Sequence, residues 1–339
     1  MTVKHLTNIA FFLLLLVTSL YAKASSSTLT ILNWEGYLSP QVIEIWEQKS
    51  GSTLEQLFFS NMAQRDEIIS NNQYGNIDLI VSDEVTARYF ASKNQFAPLS
   101  NTEVPNLINS NKSWRTQCGT HSAPYFWGSL GLAYRSDKLK QPPNSWHSIL
   151  QPEKYLSGHI SMLGDYSELL LPSLFVRHQS VTSNDKRLLN EIHQELLEQV
   201  PFMLGYGNPT TLITQANNRQ QLYLAMAFSG DEVTLNSETH SKQWKFIIPK
   251  EGTLIWVDCL AVAHTSKNKK LAYDFINFIN RKEIAKINAQ SMGYSPTTDQ
   301  HTLTNAQFYS HQDRSSIYEK NTIAASIMKS FKTLQATRQ

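Results

Sequence analysis

Between residues 28 and 92 a strand-like apolar run is followed by a helix-like amphipathic run, three times in succession. TLTILNW (28–34) leads into a helix opened by Ser39-Pro40 and stopped at Gly51. TLEQLFF (53–59) leads into a helix from Met62 to Ser70, and NIDLIVS (76–82) into one from Asp83 to Ser92. Proline near the start and glycine just past the end are the expected punctuation of a helix. Three β-α units in a row imply a parallel, doubly wound sheet. Ligands of such sheets bind beyond the carboxyl ends of the strands, which here are NWEGY (33–37) and SDE (82–84).

The middle of the chain carries a second set of elements. HISML (159–163) reads as a strand leading into a helix at Asp165, residues 185–200 as a long amphipathic helix, and LYLAMAF (222–228) as another strand. Two long extended stretches, PYFWGSLGLAYR (124–135) and LIWVDCLAV (254–262), bracket this region, as a chain crossing twice between two lobes requires. A helix from Asn268 to about Ser291 returns to the first lobe, and the tail from Asp313 to Gln339 is helical by pattern. Two lobes also suit the length, since single cores rarely grow beyond about 250–300 residues. The expected division places 25–128 and 259–298 in an N-terminal lobe and 129–258 and 299–339 in a C-terminal lobe.

The opening MTVKHLTNIAFFLLLLVTSLYAKASSS reads as a secretory signal: Lys4 precedes an apolar run, and Ala22 and Ala24 are suited to cleavage. The run is too short to span a bilayer, which takes about 20 residues. The chain has 30 basic and 28 acidic residues, and loss of residues 1–24 removes Lys4 and Lys23, leaving the exported protein near neutrality. Such a balance gives no long-range pull toward nucleic acid or anionic lipid. The two cysteines, Cys118 and Cys259, would meet an oxidising compartment; a disulfide and two buried thiols are both compatible with the sequence.

Asp258 is the anomaly. It interrupts LIWVDCLAV, in which every neighbour is apolar or small. A buried carboxylate costs several kcal/mol unless a cation or a set of donors meets it.

NWEGY (33–37), PYFWG (124–128), the Asp165–Glu168 spacing, PKEGTLIWVDCLA (249–261) and MGYSPT (292–297) occur in an order that resembles the periplasmic polyamine-binding proteins, the spermidine and putrescine receptors of ABC importers. The resemblance runs over nearly all the chain that follows the signal. It implies a type II periplasmic binding protein: an α/β fold of two lobes, each a doubly wound sheet, with a two-strand hinge and no catalytic activity. It also implies the site. Asp258 meets an ammonium and Trp256 packs along the methylenes, while Trp34 and Tyr37 form walls with Glu35 between them. Gly36 stands where the family usually has an acid. Ser82 matches a family serine, but Asp83 and Glu84 follow it where an aromatic is expected; Asp83 also reads as a helix cap. Asp165 and Glu168 match carboxylates that clamp a terminal amine, although D-x-x-E before an apolar run is equally a capping box. Phe228 replaces a common Trp, Tyr294 matches an aromatic at the cleft edge, and Glu319 or Lys320 stands where some relatives use Gln.

A linear polyamine explains these residue types. Its ammonium groups call for carboxylates at intervals, and flat rings both cover the methylenes and attract the cations, by about 0.5–2 kcal/mol each. The partners implied are a polyamine and either an ABC permease or, as for norspermidine-sensing relatives, a membrane sensory receptor, with the protein itself a monomer. No cofactor or metal is called for: the chain has no G-x-S-x-G, P-loop or H-E-x-x-H, and its ten histidines do not cluster. The remaining alternative is a carboxylate-pair glycoside hydrolase using Asp165 or Glu168 with Asp258.

Overall fold

β1 (Thr28–Asn33) pairs in parallel along its whole length with β2 (Thr53–Phe58) and takes β3 (Leu79–Asp83) on its other edge, also in parallel. The computed structural model describes residues 27–59, 62–71, 76–214, 220–299, 306–308 and 314–338. The expected signal, residues 1–24, lies outside these. The connecting helices are α1 (Pro40–Ser50), α2 (Met62–Asn71) and α3 (Glu84–Ser92). Ser39 occupies the N-cap position of α1, but its side chain makes no cap bond; its N–H donates instead to Asn288 Oδ1, 2.9 Å away. Asp83 does cap α3, accepting from Thr86 N at 2.8 Å.

A short helix, α4 (Lys112–Cys118), precedes the long strand β4 (Ser122–Arg135). The second half of the chain adds β5 (Ile160–Met162), α5 (Tyr166–Leu169), α6 (Leu171–Val176), α7 (Lys186–Gln199), β6 (Met203–Tyr206), β7 (Leu224–Phe228), α8 (Asp231–Glu238) and β8 (Trp244–Ile247). β5 lies in parallel between β6 and β7, the counterpart of the first sheet. The strand β9 (Thr253–Val262) then runs antiparallel to β4.

β4 and β9 are shared by both halves. β9 pairs antiparallel with β3, placing Asp83 opposite Asp258, while the far end of β4 pairs with β7 and β8. The order β2-β1-β3-β9-β4-β7-β5-β6 is therefore continuous, with two parallel groups joined through two long antiparallel strands. Each group has its own core. Leu29, Ile31, Val42, Trp46, Leu79, Leu260, Phe275 and Ile276 belong to the first; Leu130, Trp146, Ile160, Met162, Leu174, Ile192, Met226 and Ile327 belong to the second.

α9 (Lys269–Ile279) and α10 (Lys282–Met292) replace the single helix expected over 268–291. The break has a local cause. The Asn280 amide turns back to the Ile276 carbonyl at 2.9 Å, and Arg281 adopts an extended conformation. After α10, β10 (Ser295–Pro296) pairs with β4, β11 (Ala306–Phe308) with β9, and α11 (Arg314–Arg338) closes the chain against the second core. Cys118 and Cys259 form a disulfide, pinning the end of α4 to β9 one residue from Asp258. Among the described residues no helix is long and apolar enough to cross a membrane.

Candidate functional site

The turn after β1 returns Tyr37 to the sheet, with its N–H on the Trp34 carbonyl at 3.3 Å. Its ring is buried edge-on between Phe126 and Tyr294, with centroids 5.2 and 5.1 Å away. Tyr125 donates its hydroxyl to the Tyr37 carbonyl at 2.8 Å and receives the Asn288 amide at 3.0 Å, so the backbone behind the phenol is fixed. The Tyr37 hydroxyl donates to Asp258 Oδ2 at 2.6 Å. Among the described residues that is the one hydrogen bond to the Asp258 side chain. Burial pushes the Asp258 carboxyl up to about 6; the Tyr37 bond opposes the rise, the nearby Asp83 charge adds to it, and Arg65 weakly counters it.

The end of β3 gathers more charge. Glu84 is buried, and burial together with the Asp83 charge pushes it up to about 8, although the Val257 N–H lies 3.4 Å from its Oε2. Asp83 Oδ1 caps α3, and its Oδ2 forms an ion pair with Arg65 Nη2 at 3.1 Å, although not in hydrogen-bond geometry. The Ser82 hydroxyl is buried with no hydrogen-bond partner among the described residues.

Rings line the other side of Asp258. Alternation along β9 puts Trp256 on the same face as Asp258. Trp256 lies across Gly128 of β4 so closely that a Cβ there would collide with the indole and come 2.9 Å from Ser229 Oγ. The Trp256 ring is met edge-on by Tyr294 at 5.6 Å and by Phe228, at the end of β7, at 6.1 Å. The indole Nε1 is buried without a hydrogen-bond partner among the described residues. Trp34 stands further along, packed edge-on against Phe59 at 4.3 Å.

Asp231, absent from the sequence-based candidates, joins this group. It begins α8, is buried, and accepts the Phe228 N–H at 2.8 Å. Burial pushes its carboxyl up to about 7, and its charge helps burial to raise the Tyr294 phenol. Gly230 and Gly293 allow the approach: both have positive φ, +101° and +74°, and a Cβ on Gly230 would lie 2.5 Å from the Gly293 carbonyl oxygen. The sequence signal was faint, an acid three residues past the ring of Phe228 in a stretch, SGDE, that reads as an ordinary turn. Arg65 was missed for a similar reason, since RDE in α2 reads as a solvated helix face.

Four of the candidates stand apart. Glu35 is exposed. Asp165 occupies the N-cap position of α5 and is exposed, but its carboxylate makes no cap bond, so the Asp165 half of the D-x-x-E capping box is not formed; Glu168 is half-buried one turn on. Lys320 is buried in the second core and donates to the Val181 carbonyl at 2.9 Å, its ammonium pulled down to about 8 by burial. The side chain of Glu319 lies outside the described residues. No group of His, Cys, Asp and Glu among the described residues is arranged to hold a metal ion.

Two α/β halves joined by paired strands, with acids and rings gathered where those strands cross, define the class of two-lobed α/β binding proteins. Residues 75–313 match the profile of the bacterial extracellular solute-binding proteins. The norspermidine sensor of Vibrio cholerae is 31% identical over 280 residues, 83% of this chain and 77% of that one. The putrescine-binding periplasmic protein PotF of Escherichia coli is 25% identical over 283 residues, 77% of this chain and 75% of that one. Among solved structures, the spermidine/putrescine ABC transporter substrate-binding protein PotD of Streptococcus pneumoniae superposes with a TM-score of 0.76 at 20% identity, covering 90% of this chain and 100% of that one. The chain belongs to the bacterial extracellular solute-binding protein family.

Proposed function

We propose that this is an exported, non-catalytic binding protein that closes on a linear polyamine between its two halves and delivers it to an ABC permease. One observation carries the reading. Asp258 is an acid buried among rings with, among the described residues, a single phenol as donor, an arrangement that a cation relieves and a neutral ligand does not. Asp258 and Asp231 supply charge-assisted hydrogen bonds to ammonium groups, and Ser82 offers an acceptor. Trp256, Tyr294, Phe228, Tyr37 and Trp34 wall the methylenes, while Asp165 and Glu168 take the far amine. The lobes are 25–128 with 259–298 and 129–258 with 299–339. Ligand that touches both shifts the population toward the closed form. The names of the relatives agree in class: norspermidine, putrescine and spermidine are all linear polyamines.

The test is calorimetric titration of the purified protein with putrescine, spermidine, norspermidine and spermine. Saturable one-site binding of at least one amine is expected; silence toward all four rejects the reading. Likeness to the norspermidine sensor gives a second reading, in which the liganded protein docks on a membrane receptor. Deleting the gene separates the two: loss of labelled-amine uptake marks delivery, and loss of an amine response with uptake intact marks sensing.

A further inference from the structure

Arg65 sits beside the carboxyl ends of the strands of the first sheet, in the first turns of α2, and is 1% exposed; among the described residues no charged side chain is more deeply buried. Its guanidinium is held from several sides. Nη2 lies 2.8 Å from Asp66 Oδ1 and 3.1 Å from Asp83 Oδ2, and it donates to Thr86 Oγ1 at 2.9 Å; Nε donates to Asp66 Oδ1 at 2.9 Å. The group also stands over the Phe59 ring at 5.8 Å, and Phe59 in turn meets Trp34. A guanidinium does not lose its proton at any pH a protein survives, so this charge is permanent.

Carboxylates beside an aromatic wall are what surround Asp258 as well, where Trp256 and Tyr294 supply the rings. The two places differ in one respect: at Asp66 and Asp83 the cation belongs to the chain. Asp83 lies opposite Asp258 in the β3–β9 register, so the two sites adjoin. An ammonium arriving at Asp258 meets an acid with one donor, but an ammonium reaching on toward Asp83 meets a charge already neutralised and a cation that repels it.

We infer that Arg65 is a resident cation that fills one carboxylate-and-ring seat from inside the chain and so limits how many ammonium groups the site accepts. This rests on the polyamine reading, with ligand length as the property it governs. Spermine, with a fourth amine, gains little over spermidine while Arg65 holds its seat.

The experiment compares spermidine and spermine affinities in the natural protein and in Arg65→Gln, with circular dichroism as a check on folding. Arg65→Gln is expected to raise the spermine-to-spermidine affinity ratio at least tenfold. Arg65→Lys, which keeps the charge, retains the natural ratio, and adding Asp83→Asn to Arg65→Gln cancels the gain. An unmoved ratio in Arg65→Gln overturns the inference, as does a shift of equal size in Arg65→Lys, which would assign the effect to packing. A natural protein silent to every polyamine overturns the functional reading and this inference together, whereas natural binding with an unmoved ratio overturns this inference alone. Should Arg65→Gln fail to fold, Asp83→Asn decides, since Asn retains the helix cap. Uncovering Arg65 then weakens spermidine and spermine by the same factor, and a loss confined to spermine overturns the inference by showing that Asp83 already serves the fourth amine.

Discussion

Asp78 and Asp258 are buried carboxylates near opposite ends of β3, one just before the strand and one facing its last residue from β9, and they are treated in opposite ways. Asp78, just before β3, accepts the Thr30 N–H at 3.0 Å, the Ser266 hydroxyl at 2.6 Å and the Asn268 amide at 3.3 Å. Asp258, opposite the last residue of β3, has among the described residues the Tyr37 hydroxyl alone. Both lie in apolar surroundings, 2% and 8% exposed, so burial does not separate them. Donor count does. A buried acid supplied with three donors joins elements of the fold; one left short of donors keeps its demand for a positive charge.

Neutralising each acid should break the comparison in a different place. Asp258→Asn gives the largest effect, weakening polyamine binding by about 2–5 kcal/mol while the protein melts no earlier than the natural one. Calorimetry with a parallel denaturation curve checks both halves. Asp78→Asn should do the reverse, lowering unfolding free energy by about 1–3 kcal/mol because one of its donors loses a partner, with affinity within about twofold of natural. If urea unfolding shows no loss, the Asp78 bonds do not have the structural role given to them.

The pH dependence sharpens the contrast. Asp258 is raised to about 6 in the fold, against an ordinary value near 4 in the unfolded chain. Between those values the unfolded chain has released a proton that the folded one retains, so stability of the free protein falls as pH rises from about 4 to about 6. Glu84, raised to about 8, continues the fall toward that pH. Ligand affinity moves the other way, since the cation prefers the ionised acid. Titration of Asp258 alone should raise it by about tenfold between pH 5 and pH 7, with protons released on binding. Flat affinity across that window would show that Asp258 does not meet the ligand. Tyr37→Phe gives the smallest change, about 1 kcal/mol weaker binding at neutral pH, and moves the midpoint of the pH profile upward by removing the donor that favours the ionised form.

The sequence made much of this visible. The first three β-α units were legible because each strand ends in a polar cluster and each helix keeps its period, and Asp258 stood out because no apolar strand carries a charge without cause. What stayed hidden depends on contacts between distant segments. Arg65 looks solvated in α2 and becomes buried only when β3 brings Asp83 to it; Asp231 looks like a turn residue until Gly230 and Gly293 abut. The split of the expected helix over 268–291 turns on one Asn280 side chain folding back on its own backbone, a choice that helical periodicity does not encode. The Cys118–Cys259 pairing likewise follows from the run of α4 alongside β9, which the spacing of two cysteines cannot reveal.

Trp256 has a consequence for the spectroscopist. Its indole, whose N–H has no partner among the described residues and which is boxed by Phe228 and Tyr294 beside an ionisable acid, is a chromophore placed at the point where charge changes. Emission from that ring should respond to titration of Asp258 and to arrival of an amine, so the protein carries its own optical gauge of occupancy, legible without any attached dye.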